Sequence, residues 1–292
     1  MTLKPLTRSL ILFIAFLVTS FLPVDGQAPN RCGSANLNSN NLLIIGLTTD
    51  QRLVCFSESF GRVNNIGAVT GLSGDSALIG IDYRVQDGKL YGVGNAGGVY
   101  TISTDDGLAT LVNNLSIALN GTSFGVDFNP AADRLRIISD TGLNLRHNVN
   151  PGGVTINDGV LTYTAPPATP VAAVGVTAAA YTNNDLNTNT ATTLFDIDTT
   201  LDQVSIQSPA NNGILVATGK LGIDAADSAG FDIYSTLDGN GATVAVRGFA
   251  ALASGGASRF YSVSILTGRA TPIAAFPASN QVVDLAIPLN QP

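Results

Sequence analysis

Four aspartates recur at one place in a repeated phrase, and their type and spacing are the first sign of chemistry in the chain. They stand in Gly80-Ile81-Asp82, Gly125-Val126-Asp127, Gly230-Phe231-Asp232 and Val282-Val283-Asp284. A fifth copy, Gly175-Val176-Thr177, places Thr177 where the others have aspartate. Carboxylate oxygens suit Ca²⁺, so aspartates converging on a central channel would make a cation site. The reading preferred here is plainer. Each aspartate accepts backbone N–H bonds within or between repeats, and recurs because the repeat recurs. Side chains alternate along a strand, so Asp82 points away from the face that Ile81 and Tyr83 share.

Other constellations are weaker. His147, the only histidine, is the sole candidate base for a Ser-His-Asp triad. No Gly-x-Ser-x-Gly elbow accompanies it, so it reads as a surface or half-buried structural residue on a third strand. Glu58, the only glutamate, sits beside Ser59-Phe60-Gly61 and reads as solvent-facing. Glycoside hydrolysis needs two carboxylates, and no pair stands out from the turn aspartates. Tryptophan is absent, which leaves Tyr83, Tyr91, Tyr100, Tyr181 and Phe128 as rings on which a sugar could stack. Gly92-Val93-Gly94 and Gly97-Gly98 read as hairpin turns, lacking the strand–loop–helix setting of nucleotide sites. Two cysteines and one histidine cannot build a usual structural zinc site. No catalytic residue is assigned, and no cofactor is called for beyond Ca²⁺ at the aspartates.

The chain has 292 residues, a net charge of −7 and a pI near 4.5, a balance that argues against a nucleic-acid partner. Lys4 and Arg8 precede an apolar run from Leu10 to Val18, and Val24-Asp25-Gly26 offers short residues for cleavage. Residues 1–26 therefore read as a secretory signal peptide rather than an anchor, because the run is short for a span. No later stretch could cross a bilayer. Residues 27–40 read as a tail, and 41–292 as a single domain. An oxidising compartment favours a Cys32–Cys55 disulfide over two buried free thiols. Asn114-Leu115-Ser116 and Asn120-Gly121-Thr122 are glycosylation sequons if the source is eukaryotic.

The elements that position these residues are strands. One glutamate and three lysines against 20 aspartates and 31 glycines is a poor helix-forming mixture. The repeated phrase begins near 80, 125, 175, 230 and 282, a period of 45 to 55 residues. A second motif sets a bulky residue seven positions before a turn glycine, as in Val54/Gly61, Tyr100/Gly107, Leu145/Gly152 and Tyr261/Gly268. In the best copy, 80–84, 89–93, 98–103 and 108–112 read as four successive strands. Four short strands at this period predict an all-β protein with the blades of a β-propeller. Five blades are counted, and a sixth stays open if 205–228 hides a degenerate one. The second motif comes first in the chain and the inner-strand motif last. The carboxy-terminal strand should therefore complete the amino-terminal blade. Thr182–Thr193 and Ser208–Gly222 interrupt the pattern and read as a long polar loop and an irregular insertion.

With the repeats aligned, the chain resembles the secreted family called domain of unknown function 4394 over roughly residues 42 to 288. The resemblance is carried by Leu78-Ile79-Gly80-Ile81-Asp82-Tyr83-Arg84, Gly88-Lys89-Leu90-Tyr91-Gly92 and the stretch from Gly121 to Arg136. Ala178-Ala179-Ala180-Tyr181-Thr182-Asn183-Asn184 and Thr192-Thr193-Leu194-Phe195 add to it. It implies a secreted, repetitive β-protein and supplies no catalytic residue. The functional expectation is a secreted binding or cell-surface interaction module whose partner is an extracellular protein or glycan. The alternative is a channel-centred, cation-dependent hydrolase or lactonase-like enzyme.

Overall fold

The computed structural model describes residues 1, 32, 41–165 and 169–291. The signal peptide expected over 1–26 and the tail expected over 27–40 lie outside the described residues, Met1 and Cys32 apart. Five small antiparallel-built sheets stand in a ring, a five-bladed β-propeller.

The chain enters through β1 (Leu43–Thr48), β2 (Arg52–Ser57) and β3 (Asn64–Ala68). The second blade is β4 (Leu78–Tyr83), β5 (Leu90–Gly94), β6 (Gly98–Ile102) and β7 (Ala109–Asn114). The third is β8 (Phe124–Asn129), β9 (Arg134–Ser139), β10 (Asn144–His147) and β11 (Thr155–Asn157). A hairpin follows, β12 (Thr162–Ala165) and β13 (Thr169–Ala172). The fourth blade is β14 (Val176–Tyr181), β15 (Leu194–Asp198), β16 (Gln203–Gln207) and β17 (Ile214–Lys220). The fifth is β18 (Ala229–Leu237), β19 (Thr243–Ser254), β20 (Ala257–Val263) and β21 (Ala270–Ala275). The last strand, β22 (Val282–Ala286), pairs with β1 and becomes the inner strand of the first blade.

That closure is the one the repeat phase predicts. Ile45 lies opposite Ala286, Gly46 opposite Leu285 and Leu47 opposite Asp284. Gln291 adds a clasp, accepting from the Leu43 N–H and donating to the Leu43 carbonyl. Joining the two ends of the chain in one sheet removes two strand edges.

The stretch 205–228 holds no sixth blade. It finishes β16, makes one turn of 3₁₀ helix at Ala210–Asn212 and returns as β17, the fourth blade's own fourth strand. Residues 182–193 form the expected loop, while the strand after it, β15, is complete. The β12–β13 hairpin was not foreseen. It extends the fourth blade outward by parallel pairing of Thr162 with Ile214 and Tyr163 with Leu215. Pro170 fits there because β13 is an edge strand, where a missing N–H breaks no ladder.

Apolar side chains fill the seams between blades. Ile81, Tyr83, Leu90 and Tyr100 meet Ile45, Leu47, Leu53 and Cys55 between the first and second blades. Phe56, Phe249, Phe260 and Phe276 close the seam between the fifth and first, with Phe56 edge-on to Phe260 at 5.1 Å. Cys32 and Cys55 form the bridge, with Cα atoms 5.9 Å apart, tying the chain before β1 to the first blade. Their sequence separation is 23, so reduction should lower stability by about 3 kcal/mol in the chain-entropy account. Denaturant midpoints of oxidised and reduced protein measure it, and equal midpoints would refute it.

Candidate functional site: carboxylates on the ring axis

The phrase Gly-x-Asp acquires a local reason in the ring. Inner strands of adjacent blades cross closely near the axis, and the glycine marks the crossing. A Cβ at Gly80 would lie 2.5 Å from the Val126 side chain; at Gly125 it would meet the Ala179 backbone at the same distance. At Gly230 it would meet the Asp284 backbone at 2.4 Å. These glycines are chosen for close approach, since none has the positive φ of a turn. Two residues on, the aspartate points to the same side and takes an N–H from the strand just approached.

Asp82 accepts from Phe128 N at 2.7 Å, linking the second blade to the third. Asp127 accepts from Tyr181 N at 3.0 Å, linking third to fourth. Asp232 accepts from Ile287 N at 2.6 Å, linking fifth to first. Asp284 accepts from Ile81 N at 2.7 Å, linking first to second. All four are buried, at 1% to 9% exposure. One ligand oxygen from each of Asp82, Asp127 and Asp232 lies within 4.8 Å of the others, so carboxylates from three blades converge on the axis.

The fourth blade breaks the series, at a residue other than the one the sequence suggests. Opposite Asp82 stands Tyr91, and opposite Asp127 stands Arg136. The matching pair in the fourth blade is Ala180 opposite Phe195. Tyr181, whose N–H donates to Asp127, corresponds to Phe128, whose N–H donates to Asp82. Thr177 lies three residues earlier, at the mouth of the axis. The seam from fourth to fifth blade is held by Asn184 instead, whose side chain donates to the Ile233 carbonyl at 3.2 Å.

The electrostatics follow from crowding acids in a dry place. Burial raises the Asp82 carboxyl well above the usual range, and the Asp232 charge adds to it. Burial does the same for Asp127, with Asp82 and Asp232 adding repulsion, and for Asp284. Asp232 is pushed up by burial to about 6, held back by the N–H groups of Ile287 and Ile233. A carboxyl with a raised folded pKa stabilises the fold fully below its unfolded pKa, and that contribution is lost as pH rises through the folded value. The ring therefore favours mild acid. Asp127→Asn keeps an acceptor for Tyr181 and removes a charge. Its melting temperature should exceed that of wild type at pH 8, with the gap closing by pH 4. Asp127→Ala, which strands the Tyr181 N–H, should cost about 1–3 kcal/mol relative to the Asn variant at either pH. Thermal melts across that range test both, and an Asn variant destabilised at pH 8 would contradict the account.

Above the ring the axis opens into a cavity of about 270 Å³. Thr49, Leu78, Ser123, Thr177, Ser228 and Val283 contribute to its wall, so every blade supplies a piece. Asp127 and Asp232 lie three residues beyond Phe124 and Ala229 in their strands, about 10 Å below the mouth. A cavity with hydroxyl and backbone groups at this position offers hydrogen bonds to an uncharged polar ligand.

The remaining sequence candidates disperse. His147 is on the third strand of its blade, as expected, but fully buried rather than at the surface. Its ring nitrogens meet Thr155 Oγ1 and Asn113 Oδ1, each at 3.0 Å, and burial lowers its pKa to about 4. Glu58 is not free in solvent: it pairs with Arg247 at 2.6 Å, and its side chain is 14% exposed. Tyr83, Tyr91, Tyr100, Tyr181 and Phe128 are all core residues, so they form no sugar platform. Asn114 and Asn120 are exposed.

A buried network escaped the sequence reading. Arg136, 2% exposed, binds Asp158 and Asn144 at 2.7 Å, Asn211 at 2.8 Å and the Tyr181 hydroxyl at 3.2 Å. It joins the third and fourth blades. The Asp196 carboxylate is fully buried with no hydrogen-bond partner among the described residues, and burial raises its pKa against the pull of Arg136. The visible signal was the placement of Arg136 where the preceding repeat has Tyr91.

The family described as Domain of unknown function (DUF4394) matches residues 52–286. No curated protein matches the chain. Among solved structures, a protein of unknown function from Bacteroides thetaiotaomicron is 13% identical with a TM-score of 0.47. That alignment covers 87% of this chain and 65% of the Bacteroides protein. A Lactobacillus plantarum protein is 12% identical with a TM-score of 0.41, covering 85% of this chain and 99% of that one. Dihydro-heme d1 dehydrogenase NirN, in complex with DHE, is 10% identical with a TM-score of 0.35, covering 82% and 45%. Likeness at this level carries no function across. Among the described residues no helix is long and apolar enough to cross a membrane.

Proposed function

We propose that this chain, which belongs to the family described as domain of unknown function DUF4394, is a secreted binding or cell-surface interaction module without catalysis of its own. Its partner is an extracellular protein or glycan received at the mouth of the ring axis. The observation that carries this reading is the commitment of the ring carboxylates. Each of Asp82, Asp127, Asp232 and Asp284 spends an oxygen on the backbone of the following blade. With His147 enclosed by Thr155 and Asn113, the strongest acid–base groups serve the scaffold. What stays accessible is a polar cavity on a rigid frame, where binding is usually found. The disulfide agrees with secretion. Ser123→Arg and Ser228→Arg, which fill the mouth from half-buried and exposed positions, should abolish capture on glycan and extracellular-protein arrays while leaving the melting temperature unchanged. Capture by both variants at wild-type strength would overturn the reading.

A cation-dependent enzyme remains as a second reading, favoured by the convergence of Asp82, Asp127 and Asp232 within 4.8 Å. It expects saturable Ca²⁺ binding by calorimetry that Asp82→Asn and Asp127→Asn both lose, with a thermal gain on adding Ca²⁺ to wild type. Absence of heat and of thermal shift would remove it.

A further inference from the structure

The fifth blade carries a free strand edge. β19 runs 12 residues, from Thr243 to Ser254, while β20 pairs with it only from Gly248 onward. On its other side β19 pairs with β18 down to Leu237 opposite Thr243. Residues 243–247 therefore belong to a hairpin that projects past the rest of the blade. The Thr243 N–H is taken by Asp185 Oδ2 at 2.9 Å, while alternate backbone groups of 244–247 face outward with no strand beside them among the described residues. An open edge of this kind is a template for another strand.

Alongside this edge lies a groove of about 550 Å³. Val246, Phe249, Ile265 and Leu266 supply apolar wall, and Arg247 and Arg269 supply charge. Leu266 is 73% exposed, and Val244 on the projecting edge 63%. No carboxylate lines the groove, in a chain with 21 acidic and 14 basic residues. Arg247 is tied to Glu58. Arg269 makes no ion pair or side-chain hydrogen bond among the described residues.

We propose that the free edge of β19 and its groove form a strand-addition site for an extended peptide of another protein. Ladder bonds to 244–247 would hold its backbone, alternate apolar side chains would enter the groove, and an acidic side chain would meet Arg269. Charge selects the occupant: a positively charged groove without carboxylates accepts an acidic strand and opposes a basic one. Four residues of edge and a pocket for alternate side chains are the parts that β-augmentation uses. The surface is separate from the axial mouth and does not depend on what binds there.

The test uses the whole mature chain and a library of capped peptides of about seven residues, each with a central aspartate flanked by β-branched or aromatic residues. Hydrogen exchange follows the amides of 244–247, and fluorescence anisotropy follows affinity. At least one peptide should protect those amides. Arg269→Glu, on an exposed turn, should weaken it about tenfold or more, and a central lysine in the peptide should restore binding to that variant. Leu266→Asp should weaken binding as well, and N-methylation of alternate peptide amides should abolish it. The proposal falls if no library peptide protects 244–247. It falls equally if lysine-centred peptides bind wild type as well, or if N-methylated peptides bind like their parents.

Discussion

A chain lacking residues 281–292 should fail to reach the closed ring. The lost segment is the whole inner strand of the first blade, with Leu285, Ala286 and Ile287 all at 2% exposure or less. Two of the four axial links go with it, the Asp284 bond to Ile81 and the Asp232 bond to Ile287. β1 would be left as an open edge bearing Ile45 and Leu47, an arrangement that invites edge-to-edge aggregation. The expected outcome is aggregated or unfolded material by size exclusion and circular dichroism. A synthetic peptide of the missing residues should rescue part of it by filling the vacant place in the sheet. A truncated protein with unchanged melting behaviour would refute closure by this strand.

Replacing Arg136 by methionine should be the most damaging single substitution at a position with no apolar role. The guanidinium satisfies Asp158, Asn144, Asn211 and the Tyr181 hydroxyl at once, in a place 2% exposed. Arg146 also holds Asp158, at 2.9 Å, but through its other oxygen and from a position 32% exposed. Removing one partner of a buried ion pair costs about 3–5 kcal/mol, because the other charge stays buried. Asp196 loses its nearest compensating charge in the same step. The double variant Arg136→Met with Asp158→Asn should recover a large part of the loss. Denaturant unfolding of the three proteins decides it, and an Arg136 variant within about 1 kcal/mol of wild type would contradict the account.

The architecture was legible because blades repeat, and the phase of the repeats against the chain ends carries the closure. What a position does inside the blade was less legible. The glycine of Gly80-Ile81-Asp82 looks like turn punctuation in a glycine-rich text, yet it marks where β8 leans on β4. Thr177 was matched to the aspartates because Gly175-Val176 imitates Gly125-Val126. The better anchor was Tyr181, whose N–H donates to Asp127 as that of Phe128 donates to Asp82. Spacing alone cannot weigh those two alignments, since a long loop follows β14 and shifts the phase. Arg136 was silent for another reason. A buried charge is tolerable only through partners distant in sequence, here Asp158 and Asn211, and no local pattern announces them.

Ala180 gives the molecule a compass. A ring with five equivalent acids would present the same potential in every direction around its axis, and a ligand at the mouth could settle in any of five rotations. With the fourth blade silent, the charge that the axial acids take on as pH rises gathers on the side of the first, second, third and fifth blades. A dipolar guest would turn its positive end away from Ala180. One methyl group in place of a carboxylate thus adds an electrical asymmetry beneath a mouth whose wall already differs from blade to blade.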